Sequence, residues 1–321
     1  MAHTHRSSAR GRIAHTVPAV FAAALLAAAV AGAAQARWHD GLDAGLRAAA
    51  TSHKPIAVFA FISQPGGIYD SAHDYMLHQT LVDQQVVETL GRFEAVRLDI
   101  RQPANDAARR RLGISPVRTE GTGVIEAERI GVYPVTLFLD ERGQELCRRH
   151  GYLPPAAYAA ELTRAANLFD AMKATSANPT DAVARRNLGR AYMEMEFTPE
   201  DPFYQAAVEN LERAIELDPE NAAGAKYDAS VDLTILRLPD DPQQALTDLR
   251  ALQAQEPEGD RRFELQYYIA VAQYVLEDIP GAIKTLERFE TDRRDSPWFD
   301  SPWTPDGLGL LDHLRERQRG G

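Results

Sequence analysis

Apolar positions fall into two regimes along the 321 residues. Up to about Met172 they come as short dense runs separated by helical spacings. The run KPIAVFAFIS, 54–63, is nearly continuous and reads as a strand covered on both faces, with Pro55 at its start. FEAVRLDI, 93–100, reads as a second strand. In IGVYPVTLFLDERGQEL, 130–146, a strand with Val135, Leu137 and Leu139 meets a turn at Glu141-Arg142-Gly143 and a second strand follows. Between these lie spacings of three and four: Leu42, Leu46 and Ala49 near the start, then Tyr75 and Met76 running on through Val86 to Leu90 as one helix, and a last helix from Pro155 to about Met172.

Beyond Met172 the strands stop. Ala174-Thr175-Ser176-Ala177-Asn178-Pro179 reads as a linker or helix start, and a repeat follows. Ala207, Leu211, Ala214 and Pro219 are spaced 4, 3 and 5, and Ala245, Leu249, Leu252 and Pro257 repeat those spacings 38 residues later. Ala282, Leu286 and Phe289 repeat the first two spacings after another 37. Leu188-Gly189 and Tyr192, then Ile269-Ala270, mark the first helix of the first and third units. Three units in phase resemble the tetratricopeptide repeat, in which each helical hairpin buries its apolar face against its neighbours. Arg185 stands where that repeat usually has tryptophan, residues near 197–202 look inserted, and the first helix of the second unit is degenerate. A helix from Asp306 to about Gln318, with Leu308, Leu311 and Leu314, would cap the last unit.

The first regime resembles the thioredoxin superfamily, and more narrowly its exported members that open on Trp, a short helix and Lys-Pro. The residues that carry this are Lys54-Pro55, Leu98-Asp99, Gly131-Val132-Tyr133-Pro134, Gly143 and Gly151-Tyr152. Pro116 and Pro134 compete for the family's cis-proline. The chain after Pro134 runs straight into an apolar strand, whereas Pro116 leads into RTEGTG, so Pro134 takes the position and 115–129 becomes an insertion. RTEGTG lacks the Gly-Lys-Ser/Thr of a phosphate loop. Where disulfide-exchanging members carry Cys-x-x-Cys, this chain has Pro65-Gly66-Gly67-Ile68, which excludes dithiol exchange there. The resemblance then implies a groove that holds a peptide strand, with Pro65, Gly66, Gly67, Tyr133 and Pro134 as its residues.

Composition adds three constraints. Arg6, Arg10 and Arg12 precede an apolar run from about Val17 to Ala34, and Ala34-Gln35-Ala36 fits a small-x-small cleavage site, so residues 1–36 read as a secretory signal peptide. The alternative is an uncleaved anchor, the one membrane contact expected. Removing the peptide leaves 32 Lys+Arg against 46 Asp+Glu, a net charge of −14, which repels nucleic acid and anionic lipid. The single cysteine, Cys147, forms no internal disulfide and lies mid-strand, where cysteine is usually a small buried hydrophobe.

Little other chemistry stands out. His73 and His78 are five apart on the helix after the turn, the wrong spacing for ligands on one helical face, so no metal or cofactor is expected. The duplicated Ser-Pro-Trp of 296–303 either folds back as a cap or presents Trp298 and Trp303 as partner anchors. The resulting organisation is a signal peptide (1–36), a thioredoxin-like α/β domain (37–172), a tetratricopeptide-type all-α solenoid (173–295) and a Pro/Trp segment with a capping helix (296–321). The functional expectation is an exported, periplasmic, non-catalytic adaptor or assembly factor that binds protein segments. The alternatives are a monothiol enzyme working through Cys147, and a solenoid that serves to form a homodimer.

Overall fold

The computed structural model describes residues 36–63, 72–114, 133–195, 202–255, 259–294, 296–297 and 300–320. The signal segment, Pro65, Gly66, Gly67, Ile68, Pro116 with its insertion, and Trp298 lie outside the described residues. Contacts divide the chain into two compact units. One comprises residues up to 51 with 57–136 and 150–159; the other comprises 52–56, 137–149 and 160–321.

The N-terminal part is an α/β domain around a mixed five-stranded sheet. Its strands are β1 (Trp38–Asp40), β2 (Ile56–Phe61), β3 (Glu94–Asp99), β4 (Val135–Leu139) and β5 (Glu145–His150), in the order β1-β3-β2-β4-β5. The apolar runs explain the centre of the sheet: Ile56 to Ala60 and all of β4 are buried, as expected of strands covered on both faces. β1 was not legible as a strand. It is three residues long and pairs parallel to β3, with Trp38 opposite Ala95 and Asp40 opposite Arg97. Side chains hold this edge: the Arg97 guanidinium lies 4.3 Å from the centre of the Trp38 ring, and His39 Nε2 is 2.6 Å from Glu94.

The helices of this part are α1 (Leu42–Ser52), α2 (Ala72–Tyr75), α3 (Gln84–Leu90), α4 (Asp106–Arg111) and α5 (Pro155–Ala177). The single helix expected from Tyr75 to Leu90 is broken. α2 passes into a π-helical turn, Met76–Thr80, and α3 starts afresh where Asp83 accepts from the Gln85 and Val86 N–H groups at 2.9 and 3.3 Å. That Asp83 side chain satisfies two otherwise unpaired N-terminal donors, so it works as a helix start. α5 runs five residues past the expected end, to Ala177, because Ala174 to Ala177 carry no breaker before Asn178-Pro179.

The helical region consists of α6 (Ala182–Met193), α7 (Pro202–Leu217), α8 (Ala225–Arg237), α9 (Pro242–Gln253), α10 (Asp260–Val275), α11 (Ile279–Arg294) and α12 (Thr304–Gly320). These stack as pairs: α6 on α7, α8 on α9, α10 on α11, each pair joined to the next, with α12 against α10 and α11. The repeated positions are its core. Ala207, Leu211, Ala214, Leu249, Ala282, Leu286 and Phe289 are fully buried, and Ala245 and Leu252 nearly so. Small residues let the helices close. A Cβ added at Gly189 would lie 2.6 Å from Leu211 Cγ, and one at Gly307 would lie 2.8 Å from the Phe289 ring. Leu311 and Leu314 of α12 complete the last apolar cluster, with Ala270, Ala282 and Leu286. Between α7 and α8 the Asp218 carboxylate accepts from the N–H groups of Ala223, Ala225 and Lys226 at 3.0 to 3.4 Å.

Candidate functional site

Around Pro134 the chain builds a frame from backbone and tyrosines. The Tyr133–Pro134 peptide is cis, and the Pro134 carbonyl accepts from the Gly151 N–H at 2.7 Å. Gly151 has φ +85°, a left-handed conformation that side chains disfavour. Tyr133 is buried, and burial raises its phenol pKa against the opposing pull of Arg109. The next residue after Gly151, Tyr152, meets Tyr75 of α2 with ring centres 5.7 Å apart, and both rings are partly exposed. Leu153 ties the same corner to the π-helical turn: its N–H faces Met76 Sδ at 3.5 Å and its carbonyl accepts from Thr80 Oγ1 at 2.8 Å. Single π-type turns of this kind often sit at functional corners.

The exit of β2, immediately before the segment with Pro65, Gly66 and Gly67, is clamped by Asp99 at the end of β3. Its carboxylate accepts from Ser63 Oγ at 2.6 Å, Ser63 N at 3.3 Å, Arg101 N at 3.1 Å and Gln102 Nε2 at 3.2 Å. Arg101 Nη1 returns a bond to the Ser63 carbonyl at 2.8 Å. Thus Tyr133 and Pro134 are placed in a pinned frame, and the other three groove candidates fall outside the described residues. Leu98-Asp99 was visible as part of the resemblance; its role as a clamp was not, since carboxylate–backbone bonding has no sequence signature at this distance.

Cys147 is buried in the middle of β5, and burial, the largest influence on it, pushes its thiol up to about 12. That shift favours the neutral thiol over the thiolate at neutral pH. Among the described residues no group of three or more His, Cys, Asp or Glu could hold a metal ion, and no described helix is long and apolar enough to cross a membrane.

In the helical region the chemistry gathers on the first helices of the three pairs. Arg186 and Arg190 of α6 face Asp228 and Asp232 of α8, and Arg261 and Glu264 of α10 close the set. Arg190 donates to Asp232 Oδ1 at 2.7 Å and to Glu264 Oε1 at 2.9 Å. Arg261 donates to the same Asp232 oxygen at 2.9 Å, to Asp228 at 3.1 Å, and to Glu264. Arg186 Nε stands 3.2 Å from Asp232 Oδ2 without hydrogen-bond alignment, so that contact is Coulombic only. Asp232 is 0% exposed and Glu264 5%. Burial pulls the Arg190 and Arg261 pKa values down, but the facing carboxylates outweigh it and both are raised. Arg-x-x-x-Arg on α6 and Asp-x-x-x-Asp on α8 share a helical spacing, but nothing in the sequence pairs them across the 42 residues between Arg190 and Asp232.

Two clefts lie among these helices, one of them touching the network at Arg190. One of about 400 Å³ lies between α5 and α6, lined by Asn167, Asp170, Ala174, Asn187, Arg190 and Glu194. The other, about 500 Å³ between α7, α8 and α9, has Ile215, Leu233, Ala245 and Leu252 on its floor. Trp303 is half-buried, its ring stacked 5.7 Å from Tyr267 and set edge-on to Tyr268 at 5.4 Å.

No protein-family model matches the chain, and no curated protein matches it. A solved structure titled DsbH oxidoreductase is similar to it at 17% identity, covering 49% of this chain and 94% of that one with a TM-score of 0.30. A likeness at that level carries no activity across to this chain.

Proposed function

We propose that the protein is an exported, non-catalytic adaptor that holds extended protein segments, with a service in assembly or quality control of envelope proteins. The observation that carries this reading is the state of Cys147. The lone cysteine is buried with its thiol pKa pushed up to about 12, while the frame around Pro134 keeps ordered backbone and partly exposed tyrosines. What remains useful in such a frame is shape. There the exposed Tyr152 stands beside the buried Tyr133 and Pro134, an arrangement that suits a peptide strand bound through its backbone, and Pro65, Gly66 and Gly67 would complete that wall.

The helical region is, in this proposal, a tetratricopeptide-type solenoid, supported by three helix pairs whose in-phase positions are the buried ones. It would supply a second binding face. The basic, apolar N-terminal segment supports export to the periplasm, and the acidic balance supports protein rather than nucleic-acid partners. Trp298 and Trp303 are kept as partner anchors.

The test uses full-length protein and an immobilised library of unstructured peptides, read by fluorescence anisotropy on the peptides retained. Binding that Tyr152→Ala weakens at least tenfold, with the thermal melt unchanged, is expected. Absence of binding to every peptide, or equal binding by the variant, would remove the groove from the proposal.

A further inference from the structure

Stacked helix pairs ordinarily touch only their neighbours, yet one contact here skips a pair. Arg190 on α6, in the first pair, reaches Glu264 on α10, in the third, across 74 residues at 2.9 Å. It does so over Asp232 of the intervening α8, which binds both Arg190 and Arg261 through one oxygen. We propose that Arg190 and Glu264, seated on Asp232, form a strap that closes the face shared by α6, α8 and α10, and that releasing it lets the first and third pairs move apart without unfolding either.

The geometry favours a strap over an ordinary packing contact for three reasons. The bridge is made by side-chain ends, so its span depends on two long rotatable groups, whereas the neighbouring pairs are joined by buried apolar clusters such as Val231, Leu249, Leu265 and Ile269. Those clusters hold each interface whether or not the bridge forms. The bridge is also reachable: Arg190 is 28% exposed, and its Nε stands 3.8 Å from the solvent-facing Glu194. Finally, Asp232 keeps a second cation, Arg261, and Glu264 keeps the same one, so opening the strap does not strand either buried carboxylate. A carboxylate left without any partner would make opening prohibitive; the shared Arg261 removes that obstacle. The consequence for ligand entry rests on the adaptor reading above: a segment would reach this face only when the strap is open. The strap itself does not rest on it.

Nitroxide labels at Val183→Cys on α6 and Val275→Cys on α10 report the separation in the full-length protein. Both positions are exposed, at 41% and 49%, and the buried Cys147 needs no replacement. A narrow distance distribution is expected with the strap intact, and a longer, broader one in Glu264→Gln and in Arg190→Gln, with far-UV circular dichroism unchanged. Arg237→Gln, which breaks the exposed pair with Glu212, should leave the distances alone. Identical distributions in all four proteins would overturn the strap, as would an equal shift in the Arg237 control. Loss of the fold in both strap variants would also overturn it, because a strap that opens must leave the pairs intact. If the distances shift while peptide binding stays the same, the strap stands and the second binding face of the adaptor reading falls.

Discussion

Asp99 and Asp232 are both buried carboxylates that organise their surroundings, and they do it with opposite partners. Asp99 takes neutral donors: the Ser63 N–H and hydroxyl from 36 residues back, and the Arg101 N–H and Gln102 amide beside it in the chain. Asp232 takes guanidinium groups from two other helices, 42 and 29 residues away. The difference follows from what already holds each region. In the sheet, backbone ladders set the long-range geometry, and a carboxylate is needed only to finish a strand end. In stacked helices all backbone bonds are internal to each helix, so nothing but side chains can set the relation of one pair to the next. Long, charged side chains then do at distance what hydrogen-bonded strands do in the sheet.

The comparison is sharpest under substitution. Asp232→Ala removes the acid beneath three arginines and should cost about 3–5 kcal/mol, the range for breaking a buried ion pair by deleting one partner. Chemical denaturation of the full-length protein, followed by tyrosine and tryptophan fluorescence, measures it. A loss under 1 kcal/mol would mean that apolar packing alone sets the stack. Gly189→Ala tests that packing directly. Its new methyl meets Leu211 Cγ at 2.6 Å and the Ala207 carbonyl at 3.2 Å, so overpacking should cost about 1–3 kcal/mol; an unchanged thermal midpoint would show that α6 and α7 can slide apart freely. Asp99→Ala leaves the Ser63 and Arg101 donors without their acceptor and should cost about 1–3 kcal/mol. Here the discriminating readout is local: hydrogen exchange should speed up at the ends of β2 and β3 and stay constant in α8 and α10.

The smallest effect concerns Cys147. Its folded thiol is raised to about 12, so above the ordinary thiol range the unfolded chain ionises while the folded one does not. The sign follows: the folded state binds more protons there, and the stability owed to the neutral thiol is complete below about pH 8.5 and falls as pH climbs toward 12. Maleimide labelling at pH 8 should accordingly be negligible in the native protein and complete in denaturant. Rapid native labelling would reopen the thiol-enzyme alternative.

How much of this was legible beforehand differs by residue. Pro134 was readable at the head of β4 because a strand that begins at a proline and ends at a Gly turn leaves a dense local pattern, and Ala207, Leu211 and Ala214 were readable as core because three copies share one spacing. β1 escaped because three residues carry no period, and its partner β3 lies more than fifty residues on. The π-helical turn at Met76 escaped because its apolar spacing continues that of a helix. Tyr75 and Tyr152 gave no hint of each other; their rings meet only because α2 and the end of β5 converge.

The chain by itself therefore determined what short-range chemistry controls: which runs become strands or helices, which small residues face the core, and that no second thiol exists to pair with Cys147. The tertiary structure alone decided which distant charges meet. Arg190, Asp232 and Glu264 look in sequence like solvated helix faces, because a charge's partner is chosen by the geometry of three packed helices and not by its neighbours along the chain.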